Sequence, residues 1–162
     1  MGWTYCKRWN FLTEEPIGPM SEAAAQRLHD AEKYFTAVRI EDGEVTLAEV
    51  NPALGYVGVR FLDDHGRRAL DYRFRRQGDG RMFLVEMLLN RYGDSVARGD
   101  HATPIEIEHI YFGPDGVVRT ETTDTATDEV ETVDTHSVDV SSHWEAVPAF
   151  GDYDSIARHE RE

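Results

Sequence analysis

Glu86 stands in the middle of Met82-Phe83-Leu84-Val85-Glu86-Met87-Leu88-Leu89, an apolar run in which a carboxylate must be either paired with a cation or protonated. Desolvation would raise its pKa and make it a general acid or base, whereas a neighbouring arginine would hold it ionised as a structural ion pair. His109 shares alternate positions with Ile105, Ile107 and Tyr111, and Asp134 and His136 share them with Val130, Thr132, Val138 and Val140. If these faces line one cavity, Glu86, His109, Tyr111 and His136 form a polar group inside an apolar pocket. Such a group suits proton transfer on a bound small molecule, as in an isomerase, cyclase or lyase. A core ion pair for Glu86 and hydrogen-bonded core histidines are the weightier alternative, because structural networks also perturb pKa values.

Other chemistries find little support. The glycines fall in hairpin signals and not between a strand and a helix N-terminus, so a phosphate-cradling loop is not expected. Cys6, the one cysteine, reads as a small buried residue on the opposite side of its strand from Trp3 and Trp9. Asp124, Asp128, Glu129, Glu131 and Asp134 lack the spaced acids and central glycine of a calcium loop, and read as a hydrated sheet edge that discourages aggregation. No metal site and no cofactor are expected. Arg98-Gly99-Asp100 is assigned no adhesive role.

Charge is distributed unevenly along the 162 residues. The whole chain carries −14, yet residues 1–100 hold 14 Lys and Arg against 16 Asp and Glu, net −2, while residues 101–162 hold 3 against 15, net −12. Between Arg60 and Arg81, seven arginines, Arg73 and Arg75 among them, face four aspartates. Such an acidic chain lacks the basic footprint that nucleic acid requires. The longest apolar run is too short to span a bilayer, and no signal-peptide pattern opens the sequence, so a cytoplasmic protein with no membrane association is the expectation.

The elements that must position these residues are mostly strands. Trp3 to Phe11 alternates as a strand, Thr13 to Pro19 reads as a connector, and Ser21 caps a helix running to about Tyr34. Eight β-rich runs follow, near 34–40, 45–50, 56–62, 69–75, 81–90, 105–112, 117–122 and 129–140. Turn signals such as Asp42-Gly43 and Asp115-Gly116 separate them, and a polar loop spans Arg91 to Pro104. Trp144, Phe150 and Tyr153 are expected to clamp a C-terminal tail onto the fold, with Asp154 capping a short last helix. The expected fold is mainly β, of the α+β kind, in one domain: N-terminal strand and connector (1–20), helix (21–34), antiparallel meander of about eight strands (35–140) and tail (141–162). A lipocalin-like up-and-down barrel and a strongly curved open sheet are its two candidate forms.

Two functions fit. The first is a noncatalytic, inhibitor- or immunity-like binder that engages a basic protein partner through its acidic C-terminal sheet, with Glu129, Glu131, Asp134, Arg73 and Arg75 as contacts. The alternative is a cofactor-independent enzyme or carrier with a pocket for an apolar small molecule.

Overall fold

The computed structural model describes residues 2–94 and 103–161, so the middle of the Arg91–Pro104 loop, with its Arg98-Gly99-Asp100 tripeptide, lies outside the described residues. In chain order the elements are β1 (Thr4–Asn10), β2 (Glu15–Met20), α1 (Glu22–Asp30), β3 (Phe35–Glu41), β4 (Glu44–Asn51), β5 (Tyr56–Leu62), β6 (Arg68–Arg76), β7 (Met82–Arg91), β8 (Glu106–Phe112), β9 (Val118–Asp124), β10 (Glu129–Thr135) and the two-residue β11 (Trp144–Glu145). The expected helix and the eight meander strands β3 to β10 are present. All pair antiparallel in one sheet, in the order β10-β9-β8-β7-β6-β5-β4-β3-β1-β2. The sheet is open and not a barrel: β2 and β10 stand at its two ends, so of the two candidate forms the closed one is absent.

Local chemistry explains the elements. The Ser21 hydroxyl accepts the Ala24 N–H and so caps α1, which ends at Asp30, earlier than its sequence suggested. In the first meander hairpin Asp42 and Gly43 both take left-handed φ (51° and 86°), the turn whose twist matches that of its strands. Thr13 to Pro19 is not simply a connector. Its second half forms β2, an edge strand, the one sheet position where Pro16 and Pro19 cost few ladder hydrogen bonds. Asp154 caps no helix; it accepts hydrogen bonds from the Trp3 indole (3.0 Å) and from Arg39 (2.9 Å), tying the tail to β1 and β3.

The sheet has two different faces. One carries the main core: Tyr5, Phe35, Ala37, Ala48, Val50, Val57, Val59, Phe61, Tyr72, Phe74, Met82 and Leu84, covered by Ala25 and Leu28 of α1 and by Phe150, Tyr153, Ile156 and Ala157 of the tail. Phe150 stacks on Tyr5 at 5.1 Å, and Tyr153 meets Trp3 edge-on at 5.5 Å. The opposite face holds a smaller cluster of Cys6, Trp9, Val38, Leu47 and Leu62. Trp9 thus lies with Cys6 and not across the strand from it, beyond the point where the pairing of β1 with β3 ends at Cys6. Among the described residues no helix is long and apolar enough to cross a membrane.

Two one-residue bulges set what the faces present. Val85 is an extra residue in β7: Leu84 stands opposite Phe74 on the core face, yet Glu86 stands opposite Arg73 on the other. Ala69 is likewise extra in β6, which turns Arg68 onto the same face as Asp71. A regular β7 would have kept Glu86 on the face of Leu84.

Candidate functional site

The four candidate catalytic residues are partly brought together. Glu86 (β7), opposite Arg73 (β6) and Tyr111 (β8), accepts from the Arg73 guanidinium at 2.8 Å and lies 3.1 Å from His109 Nε2; the Tyr111 hydroxyl lies 3.0 Å from His109 Nδ1. The His109 and Tyr111 rings stack at 4.1 Å. This chain lies on the open face of the sheet, with the Glu86 side chain 28% exposed and that of Arg73 35% exposed. At that exposure the ion pair contributes about 1 kcal/mol or less. Desolvation, with the Glu121 and Glu86 carboxylates adding to it, lifts the Tyr111 phenol above its ordinary pKa. His136 follows the end of β10, is exposed, and forms no part of the chain.

Further in on the same face lies a tighter network. Arg60 forks onto Glu49 (2.9 and 2.8 Å) and reaches Asp71, which is 1% exposed and is also held by Arg68. Burial alone would lower the pKa of Arg60, but the Glu49 hydrogen bonds and the Asp71 and Glu49 charges outweigh it and hold the guanidinium more basic than usual. Arg75 lies over the Tyr56 ring at 4.8 Å. At the outer strands Arg119 forks onto Asp134 (2.8 and 3.1 Å), and this pairing lowers the Asp134 pKa. On this face, then, charges are neutralised in pairs, Arg73 with Glu86 and Arg119 with Asp134.

The core side of the outer strands is arranged differently. There β8 meets the tail where Phe112 packs against His143, and in β8, β9 and β10 Val118 is the one buried residue among those described. The pairing places Glu106 directly opposite Asp124, and Asp124 directly opposite Glu129, with Arg91 of β7 at the inner end of the row, 3.2 Å from Glu106. The next row is Leu89, Glu108, Thr122 and Glu131. Five carboxylates therefore share one surface with one arginine at its margin, bordering a shallow groove of about 440 Å³ along Glu106, Thr122, Asp124, Glu129 and Glu131. Like charges directly opposite in a sheet are destabilising, each such pair by some tenths of a kcal/mol. Fold stability does not account for this arrangement.

Comparison with protein-family models, with curated proteins and with solved structures finds no match for this chain.

The expected contact residues divide between the two faces: Glu129 and Glu131 lie on the acidic surface, whereas Asp134, Arg73 and Arg75 lie on the other side. Sequence reasoning missed Glu106 and Glu108. Asp124 and Glu129 flank the Thr125–Asp128 turn, so their pairing is readable from the hairpin. The partners of Glu106 and Glu108 depend on register, which only the assembled sheet fixes. Among the described residues no three His, Cys, Asp or Glu side chains are grouped to hold a metal ion. A separate cleft of about 330 Å³ opens beside the end of α1, lined by His29, Val50, Val57, Arg76, Met82 and Pro148 among others, and by none of Glu86, His109, Tyr111 and His136.

Proposed function

We propose that the protein is a noncatalytic binding protein that engages a basic protein partner through the acidic surface of β8, β9 and β10. The row Glu106, Asp124 and Glu129, with Glu108 and Glu131 beside it, carries this reading: it costs the isolated fold stability, and a cationic partner would relieve that cost. From Glu106 to Thr135 the chain has nine carboxylates and one arginine, enough to steer a basic partner towards this end of the sheet. Asp134, Arg73 and Arg75 have partners of their own on the other face, so the contact set becomes Glu106, Glu108, Asp124, Glu129 and Glu131.

Titration with a polyarginine peptide, followed by NMR, tests it. The expected result is amide shift changes centred on those five residues and an affinity that falls steeply between low and high salt. Shift changes centred on the Arg73 face, or an affinity indifferent to salt, would overturn it.

A second reading, a carrier for an apolar small molecule, has the 330 Å³ cleft in its favour, since apolar walls with a few polar groups suit such a ligand. Met82→Trp would fill that cleft. If the carrier reading holds, this variant loses a ligand that the parent retains in native mass spectrometry.

A further inference from the structure

Resting on that reading, we infer that the basic partner docks as an extended strand, adding itself antiparallel to the free edge of β10. The two ends of the sheet are built differently. At one end β2 is closed to further pairing by Pro16 and Pro19, which lack N–H donors, and by Gly18 at left-handed φ (60°). At the other end β10 is seven residues long, has no proline, glycine or bulge, pairs only with β9 among the described elements, and is exposed at every position. Its outward backbone N–H and C=O groups form a template for one more strand.

Side chains on β10 state what that strand should be. Opposite residues in an antiparallel pair share a face, so a docked strand would set two positions against Glu129 and Glu131 and a third against Val133 on the core side. The alternate position against Val130 falls on the other face. Val130 and Val133 are 57% and 50% exposed, and an edge meant only to stay hydrated has no need of them. The matching segment carries Arg or Lys at i and i+2, an apolar residue at i−2 to meet Val133, and a β-branched residue between the cations to meet Val130. A second copy fits less well, because joining two such edges would bring two acidic surfaces into one sheet.

The probe is an acetylated, amidated heptapeptide, Thr-Thr-Val-Thr-Arg-Val-Arg, with a counterpart N-methylated at alternate residues. Hydrogen exchange of the intact protein should show alternate β10 amides slowed about tenfold by the first peptide and unchanged by the second. If both peptides bind equally and β10 gains no protection, strand addition is overturned while the acidic-surface reading stands. If neither the heptapeptide nor polyarginine binds, both fall. A free protein that is dimeric, with β10 amides already slow, would make the occupant a second copy and overturn the proposal as stated.

Discussion

Individual buried polar groups set the conditions under which this fold persists. His143, 6% exposed, lies against the rings of Phe112 and Phe83 at 4.4 and 6.1 Å. Burial pulls its pKa below the ordinary 6.5, the Arg161 charge adds to this, and Asp139 opposes it. In the window between the lowered and the ordinary pKa the unfolded chain binds a proton that the folded chain refuses. The stability contributed by neutral His143 is therefore present above pH 6.5 and lost as pH falls below it. Thermal unfolding from about pH 7 to about pH 5 should show a falling Tm in the parent and a flatter profile in His143→Leu. Arg60 makes a second test. Arg60→Leu leaves Asp71 buried with Arg68 as its remaining partner and frees Glu49, so urea unfolding should show a loss of about 3 kcal/mol. The Arg60 role follows from the register of three consecutive strands and the His143 role from where the tail lands, and residue type alone announces neither.

At the scale of the element, the bulge at Val85 decides what Glu86 can do. Deleting Val85 would remove the bulge and make Glu86 follow Leu84 directly, so the Leu84–Phe74 register would run on unbroken with Glu86 still opposite Arg73. Circular dichroism should therefore find the deletion variant folded, and a largely unfolded variant would contradict the assignment of Val85 as the extra residue. Glu86 could be singled out in the sequence as a carboxylate in an apolar run, but the bulge that turns it to Arg73 leaves no mark there, since Val85 is an ordinary strand residue. The meander was legible because Asp-Gly and Gly-Asp-Gly signals punctuate period-two runs, and the Asp42-Gly43 turn has the geometry its residues favour. β2 was not, because two prolines argue against a strand anywhere except at an edge. Openness was not legible either: closure depends on whether the first and last strands meet, and here β1 and β2 extend the sheet beyond β3 while the charged β10 faces solvent. Of the candidate site, Glu129 and Glu131 were legible from charge alone, whereas their alliance with Glu106 and Glu108 is a product of register.

As a whole the molecule divides into a supported part and a projecting part. Strands β3 to β7 lie under the helix and the tail, whose Arg161 and Ser155 both bond to Glu145 (2.7 Å each), while β8 meets that cover at Phe112 and the Glu106, Asp124 and Glu129 ends of β8 to β10 do not pack on the core. The projecting part concentrates acid on its core-side surface and neutral pairs on the other. That asymmetry supports the proposed binding surface, since charge placed only for solubility has no need of directly opposed pairs. On the proposed reading, Glu106, Asp124 and Glu129 trade stability for recognition. Its most direct test is the double variant Glu106→Gln/Glu129→Gln, measured for thermal unfolding and for association with polyarginine at low salt. A higher Tm than the parent, together with association slowed by about tenfold, is expected. A variant that is less stable, or that associates as fast as the parent, would contradict it.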